Sequence, residues 1–381
     1  MSTSEQLEQV LAKVSKAKRL AVDVEGNGLH AYKPRLCTVQ LAWEAREGAP
    51  AEVAIIDTLV LPAASLNELL GADGPTKVLH DLTFDAQLLS QNGARLSNVR
   101  DTSVCARFLS IQALGLASLL SSELGIHVEK GYQRHDWAQR PFERAQLDYL
   151  ANDVAHLLSL ERKLRARAVE LGIEGEVDDE TEYKLSQALA DTIERSPYLK
   201  IKGPASLSPV EQAVVRRLAL LRETVACELD KPAFHIASVE QIQALALARP
   251  TSIASLFEVR GLNGSRVLDD PPRWIEAISQ GVSDGKLSDE EFEAITVVPM
   301  GRAEIDRRRG LEDRLRRWRR FEAKNRGVDE QVVLPGHCLS ALVAHPPASV
   351  DQLRATAGIG KHRLARYEET LFKMIASSSA T

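Results

Sequence analysis

Four acidic side chains and one tyrosine have the spacing of a hydrolytic metal site. Asp23 and Glu25 are two residues apart in "LAVDVE" (20–25), so in a strand their side chains point to the same face. Two adjacent like charges are costly unless water or a cation lies between them, and carboxylate oxygens are the ligands that Mg²⁺ and Mn²⁺ prefer. The pair therefore indicates either a solvated strand edge or a site for divalent cations.

The other candidates lie in helical patterns. Asp85 lies near the start of "TFDAQLLSQNG" (83–93), directly after a short strand-like run, and Tyr149 and Asp153 share one helical face of "QLDYLANDVAHLL" (146–158). Two cations about 4 Å apart can activate a water and stabilise the leaving oxygen in phosphodiester hydrolysis, and a tyrosine hydroxyl could orient that water. Taken singly, each pattern is also typical of a solvated surface.

The elements that must position these residues indicate an α/β domain. Strands are predicted at 20–25, 36–43, 52–58 and 77–80. Helical patterns dominate afterwards, and a long helix is expected from near Arg144 to about Leu171. The following "GIEGEVDDETE" is typical of a solvated acidic connection, which places a domain boundary near residue 170.

The C-terminal half contains an internal repeat. A shift of 97 residues aligns 220–264 with 317–361 without a gap. The shift pairs apolar and turn positions, namely Leu245 with Leu342, Pro250 with Pro347, Leu256 with Leu353, and Gly261 with Gly358. Such self-similarity indicates two copies of one small helical module.

The order of these acids resembles the DEDD superfamily of 3′–5′ exonucleases, tyrosine subtype, and most closely the ribonuclease D family. The three motifs would be "DVEGNGLHAYKPRLCTVQLA" (23–42), "VLHDLTFDAQLL" (78–89) and "YLAND" (149–153). Ahead of the third motif, "EKGYQRHDWAQRPFERAQLDYL" (129–150) is similar to the Lys…Asp-Trp…Arg-Pro…Gln…Tyr run of that family. The C-terminal repeats look like two HRDC domains, so the resemblance covers essentially the whole chain.

Carried over by position, the resemblance implies two divalent metal ions, Mg²⁺ or Mn²⁺, and a tyrosine, Tyr149, that holds the attacking water. The implied metal ligands are Asp23, Glu25, Asp85 and Asp153. The implied activity is the trimming of 3′ ends of structured RNA such as tRNA precursors, by two-metal-ion hydrolysis that releases nucleoside 5′-monophosphates.

The implied fold is an α/β ribonuclease H-like exonuclease domain, a mixed sheet flanked by helices, followed by two all-α HRDC modules. The expected boundaries are 1–170 for the exonuclease domain, 171–204 for an acidic connection and linker, 205–282 for the first HRDC domain, 283–300 for an acidic linker and 301–377 for the second HRDC domain.

The first motif departs from the family pattern. After Glu25 the ribonuclease D family usually has an aromatic residue and basic residues, whereas "GNGLHAY" is more similar to the proofreading exonucleases of DNA polymerases. Leu29 would then wedge against the terminal base, and the alternative is a glycine-rich turn without a ligand role. A DNA 3′–5′ exonuclease is therefore the main alternative function, and an inactive nucleic-acid-binding scaffold is a further one.

Basic residues in or near the motifs are the predicted phosphate contacts. They are Arg35, Lys130, Arg134 and Arg140. The arginine-rich segment 302–326 also contains Trp318 and Phe321. It predicts either a face that contacts RNA or a helix whose aromatic residues belong to the core.

Composition limits the remaining possibilities. The chain has 381 residues, 44% of them hydrophobic and 27% charged, which is typical of a globular protein of two or three domains. Its net charge of −5 argues against binding nucleic acid through bulk charge. The four cysteines form no CxxC pair or Cys/His cluster, which argues against a zinc site or a disulfide framework. Because no long apolar run or signal-peptide core occurs, we expect a cytoplasmic protein without membrane contact. We also expect it to be monomeric.

Overall fold

The computed structural model describes residues 1–128, 131–190, 196–201, 203–296 and 300–376. The chain forms two compact units. The first unit comprises 1–26, 36–190 and 300–381, and the second comprises 27–35 and 191–299.

In the described part of the first unit, five strands form one mixed sheet in the order β3-β2-β1-β4-β5. The strands are β1 (Arg19–Gly26), β2 (Leu36–Glu44), β3 (Ala51–Asp57), β4 (Thr76–Leu79) and β5 (Val99–Asp101). Strand β1 is antiparallel to β2, and β2 is antiparallel to β3, whereas β1, β4 and β5 run parallel. The mixed sheet predicted from the sequence is confirmed, and β5 is the strand that the sequence did not indicate.

Helices cover both faces of this sheet. They are α1 (Ser4–Val14), α2 (Asn67–Leu70), α3 (Thr83–Gln91), α4 (Thr102–Phe108), α5 (Leu116–Leu119), α6 (Arg144–Ala155), α7 (Leu157–Glu170) and α8 (Glu174–Leu189). Val22 and Val24 of β1 belong to the core formed with α1 and α3, whereas Ala21 belongs to the core formed with α6 and α7. Because strand side chains alternate, Asp23 and Glu25 share the face of Ala21.

Two local expectations differ from the structure. The predicted helix from Arg144 to about Leu171 is two helices, because the backbone at His156 (φ −109°, ψ −1°) separates α6 from α7. The range 171–204, expected to be a solvated connection, contains α8, whose Glu176 and Asp179 are buried. The partners that bury these acids lie 150 and 183 positions further along the chain, so local composition could not reveal them.

The second unit is helical. Its helices are α9 (Pro209–Glu228), α10 (Ala233–Ile236), α11 (Val239–Ala248), α12 (Ile253–Phe257), α13 (Pro271–Asp284) and α14 (Asp289–Ile295). Helix α14 lies in the range 283–300 that was expected to be an acidic linker. Ser288 explains the helix, because its hydroxyl accepts from the N–H of Glu291 and so caps the first turn.

The remaining helices belong to the first unit. They are α15 (Arg302–Arg326), α16 (Glu330–Val333), α17 (Gly336–Ala344), α18 (Val350–Arg354) and α19 (Lys361–Ala376). Helix α18 begins and ends 97 residues after α12, which is the offset of the sequence repeat. Gly261 and Gly358 both have left-handed backbones, with φ of 88° and 79°, which explains why glycine recurs at this turn. The sequence repeat is therefore also a structural one.

Helix α8 holds the module α15–α19 against the sheet domain. The Arg363 side chain is fully buried and donates to the backbone oxygens of Val332 (2.9 Å) and Glu176 (3.3 Å). Asp179 accepts the backbone N–H of His362 at 2.9 Å. The acidic residues of α8 thus form a docking surface for the C-terminal module.

We expect Arg363→Ala to lower the free energy of unfolding of the first unit by about 3 kcal/mol, because it leaves buried oxygens without donors. Lys373→Ala, at an exposed position of the same helix, is the matched control and should cost less than about 0.5 kcal/mol. Chemical denaturation followed by tryptophan fluorescence compares the two variants. Equal losses in both variants would contradict the docking role of Arg363.

Candidate active site

Three of the predicted acids meet in the first unit. Carboxylate oxygens of Asp23, Glu25 and Asp153 all lie within 4.8 Å of one another. The first two come from β1 and the third from α6, which packs against β1. A capping box formed by Glu143 and Gln146 fixes the start of α6. The fold therefore brings together acids that are up to 130 positions apart in the sequence.

Burial raises the pKa of all three acids, and repulsion between carboxylates adds to the pKa shift of Asp23 and Glu25. Burial, reinforced by the charge of Asp153, raises the pKa of Asp23 to about 8. Burial and the charges of both neighbours raise the pKa of Glu25 to about 9. Burial raises the pKa of Asp153 to about 6, against the hydrogen bond from Tyr149 that lowers it. Clustered acids that resist ionisation are the arrangement that a bound cation stabilises.

Asp85 faces the same site from α3 but is not one of the three acids within 4.8 Å. It is buried in the first turn of α3. Burial, followed by the charges of Asp23 and Glu25, raises its pKa well above the usual value. Because the charges of Asp23 and Glu25 act on it, Asp85 is the fourth acid that could add a ligand for a second cation.

Asp101, which the sequence analysis missed, fixes the segment that leads to Asp85. Its Oδ1 and Oδ2 accept the backbone N–H groups of Asp81 and Leu82, both at 3.1 Å. Burial opposes ionisation of Asp101, but the Lys184 ammonium at 3.4 Å and these hydrogen bonds lower its pKa. Asp101 is therefore an ionised positioning residue. An aspartate directly before the helix α4 was the available signal, because Asp is a preferred N-cap.

Tyr149 is held by an aromatic cluster and by Asp153. Its hydroxyl lies near the Asp153 carboxylate and lowers the pKa of that acid, while burial together with the nearby acids raises the pKa of the hydroxyl, which therefore stays protonated. Its ring stacks on Trp137 at 5.7 Å between centroids with an interplanar angle of 22°. The Trp137 indole N–H lies near Glu25 and lowers its pKa without meeting hydrogen-bond geometry. Trp137 therefore braces the wall that positions Tyr149.

Arg140, predicted to contact phosphate, is bound by protein groups in the structure, and its contact with phosphate stays a prediction. Its guanidinium donates to both carboxylate oxygens of Asp57, at 2.7 and 2.8 Å. Its other donors reach the backbone oxygens of Cys37, Trp137 and Gln139. All five N–H groups of Arg140 thus have protein acceptors, and the side chain supports the wall beside Trp137.

Three of the other predicted substrate contacts are exposed side chains. Leu29 and Arg35 lie in the segment 27–35, and both are exposed. Arg134 is exposed in the first unit, and Lys130 lies outside the described residues. Their predicted contacts with RNA stay predictions.

The arginine-rich helix α15 has one of its two aromatic residues in the core. Trp318 packs edge-on against Tyr367 with a centroid distance of 5.2 Å, whereas Phe321 is 65% exposed. The interpretation of both residues as core is therefore wrong for Phe321. Its ring is accessible on the same helix as the exposed Arg317 and Arg320.

The donor set of this site fits hard divalent cations. It consists of carboxylate oxygens alone, which suits Mg²⁺ or Mn²⁺ and does not suit a zinc site built from Cys and His. Asp23, Glu25 and Asp153 can hold one ion together, and Asp85 can add a ligand for another.

We expect binding of Mg²⁺ to this site to release protons. At pH 7 Asp23 and Glu25, with pKa values of about 8 and 9, carry protons in the metal-free protein and must lose them to act as ligands. Affinity should therefore rise with pH between about 6 and 9. Isothermal titration calorimetry in buffers of different ionisation enthalpy measures the released protons, and a proton count of zero at pH 7 would contradict the raised pKa values.

The fold and its carboxylate cluster agree with two family models. Residues 1–168 match the 3′–5′ exonuclease domain, and residues 211–278 and 308–375 match the HRDC domain. The two HRDC matches are offset by the 97 residues of the internal repeat. The protein is therefore a 3′–5′ exonuclease with tandem HRDC domains.

Comparison with individual proteins narrows this class. Ribonuclease D of Desulfotalea psychrophila is 31% identical over 255 residues, which cover 66% of this chain and 67% of that protein. The structure of Escherichia coli RNase D, an exoribonuclease involved in structured RNA processing, has a TM-score of 0.70 at 21% identity and covers 99% of this chain and 98% of its own. The structure of a protein from Bifidobacterium adolescentis has a TM-score of 0.79 at 22% identity, and the match covers 99% of this chain and 96% of that protein. The chain belongs to the ribonuclease D family and is a 3′–5′ exoribonuclease.

No helix in the described ranges has the length and apolar character needed to cross a membrane.

Proposed function

We propose that this enzyme trims the 3′ ends of structured RNA such as tRNA precursors and releases nucleoside 5′-monophosphates by two-metal-ion hydrolysis. The observation that carries the proposal is the cluster of Asp23, Glu25 and Asp153, within 4.8 Å, beside the Tyr149 hydroxyl. Carboxylates alone repel an RNA phosphate, so the site requires cations to accept that substrate.

Each side chain has a distinct proposed role. Asp23, Glu25 and Asp153 would hold one cation, and Asp85 would add a ligand for the second. When bound, such ions activate a water and neutralise the leaving oxygen. Tyr149 keeps its proton, so its hydroxyl would donate to Asp153 while the lone pairs of the phenolic oxygen would accept a hydrogen bond from the attacking water. Tyr149 thus positions the water without acting as a base.

The HRDC modules have different proposed roles because only one of them belongs to the first unit. We propose domain ends near residues 170, 282 and 377, as the sequence predicts, with α8 as a docking helix for the second module. The first module, in the second unit, would supply affinity for long RNA. The proposed partner is the RNA itself, bound by a monomer in the cytoplasm.

Comparing RNA and DNA of one sequence tests the proposal directly. Each oligonucleotide carries a 5′ label and is incubated with Mg²⁺, Mn²⁺ or EDTA, with and without a 3′-phosphate. We expect stepwise shortening of RNA from a free 3′-hydroxyl, mononucleotide products and no reaction in EDTA. Faster shortening of DNA than of RNA would favour the alternative of a DNA exonuclease, to which the segment after Glu25 points. Cleavage in EDTA would overturn the metal-dependent mechanism.

A further inference from the structure

The first unit contains a cavity of about 630 Å³ that is separate from the carboxylate cluster. Its volume lies in the range typical of small-molecule sites, roughly 300–1,000 Å³. Residues of α4, the segment after it, α8 and the region of α16 and the start of α17 line it, and none of the four proposed metal ligands does. The docking of the second HRDC module by α8 therefore creates the cavity.

One wall of the cavity is aromatic. The rings of Tyr183 and His337 stack with centroids 4.0 Å apart and an interplanar angle of 14°. His337 is fixed by Glu180, whose Oε1 lies 3.0 Å from its Nε2. Phe108 and Ile111 add apolar surface. Such a wall suits a planar base of any identity, because each of the four bases has a flat π-face that can stack on an aromatic side chain.

The polar groups of the cavity include donors without protein partners. Among the described residues, the Arg107 guanidinium and the Tyr183 hydroxyl make no hydrogen bond or ion pair. The acids of the lining are already engaged, since Glu180 binds His337 and Asp329 accepts the N–H of Gln331 at 2.8 Å. Arg107 is thus the lining cation available for a phosphate, which a guanidinium binds through two parallel hydrogen bonds.

The cavity adjoins the segment that positions Asp85. Lys184 of its lining lies 3.0 Å from Asp81 and 3.4 Å from Asp101, the acid that fixes the backbone ahead of α3. Strands β1, β4 and β5 are parallel neighbours, so their C-terminal ends lie along one edge of the sheet. Crossing from the acids of β1 to the end of β5 spans two strand spacings, roughly 10 Å. An RNA strand with its 3′ end at the acids can follow this edge to the cavity.

We propose that this cavity binds one nucleotide of the RNA substrate, upstream of the residue that is hydrolysed. The base lies against the wall of Tyr183 and His337, and its phosphate binds Arg107. The inference rests on the proposed exoribonuclease function, because that function places an RNA 3′ end at the acids. A free nucleoside monophosphate has the same base and phosphate and is the other source of this ligand.

Binding measurements on the full-length chain test the site. Fluorescence anisotropy in EDTA gives the Kd of a labelled 12-nucleotide oligoadenylate for wild type, Arg107→Ala and the control Arg95→Ala, an exposed arginine outside the cavity. We expect Arg107→Ala to raise the Kd about tenfold, ~1.4 kcal/mol, and the control to change it less than twofold.

The outcomes distinguish an RNA nucleotide from a free mononucleotide as the ligand of the cavity. They also distinguish failure of the nucleotide site from failure of the proposed exoribonuclease function. Loss of AMP binding in Arg107→Ala with an unchanged Kd for the 12-mer would assign the cavity to free mononucleotide. Unchanged binding of both probes, or equal losses in the Arg95 control, would overturn the nucleotide site. If the wild-type protein binds the 12-mer through Arg107 but hydrolyses no RNA with Mg²⁺ or Mn²⁺, the proposed function fails and the nucleotide site stands.

Discussion

Asp23→Asn should reduce RNA hydrolysis by at least about 10³-fold, which is ~4 kcal/mol in the activation barrier. Asp23 is the acid that couples to both Glu25 and Asp85, so its neutralisation weakens the hold on every proposed cation. Single-turnover cleavage of labelled RNA at saturating Mg²⁺ measures the loss. Asp148→Asn, on a carboxylate of α6 paired with Arg144 outside the cluster, is the matched control and should retain wild-type rates.

The same substitution should leave the fold intact and stabilise the metal-free protein. The pKa of Asp23 is raised from its ordinary value to about 8, so the folded protein binds a proton that the unfolded chain releases above about pH 4. Stability of the wild type in EDTA therefore falls as pH rises from about 4 to 8. Asn cannot ionise, so the stability of the variant does not fall with pH in this way. The Tm of the variant should therefore exceed that of wild type by more at pH 8 than at pH 5. A variant that melts lower at both pH values would assign Asp23 a structural role instead.

Local patterns predicted most of the sheet because its strands carry their own signals. The alternation of Asp23 and Glu25 with apolar residues indicated both the strand and the side that holds the acids, and the structure has that arrangement in β1. The four-residue spacing of Tyr149 and Asp153 likewise holds on α6, where the Tyr149 hydroxyl lies near the Asp153 carboxylate and lowers its pKa. In both cases the predicting residues lie within one element.

Contacts between distant segments explain what sequence reasoning could not reach. Asp179 looked solvated because its partner, His362, is 183 positions away. Arg140 looked like a phosphate ligand because its neighbours in sequence are motif residues, yet Asp57 and the backbone of Cys37 occupy its donors. Asp101 was overlooked because β5 has only three residues, which are too few to show the alternation of apolar and polar side chains that is typical of a strand. The cavity beside α8 depends on the docked second module, which no local pattern encodes.

Tyr149→Phe distinguishes a packing residue from one that positions the attacking water. The ring would keep its stack on Trp137, so a purely structural residue should allow near-normal turnover. If the hydroxyl positions the water, single-turnover cleavage at saturating enzyme should fall by about 10²-fold or more, the scale of losing a placed catalytic group. RNA affinity should change less than about twofold, since the hydroxyl contacts Asp153 rather than the strand.

Tyr132→Phe is the matched control, because Tyr132 packs edge-on against Tyr149 at 5.7 Å in the same aromatic cluster. Its loss of a hydroxyl should leave the cleavage rate within about twofold of wild type. The pH dependence adds a second criterion: Tyr149 stays protonated in the working range, so the Phe variant should lower the rate equally at pH 6 and pH 9. A loss confined to high pH would instead indicate that the phenolate takes part. A Phe variant within about twofold of wild type, ~0.4 kcal/mol in barrier, would remove the water-positioning role and leave the carboxylates to orient the water alone.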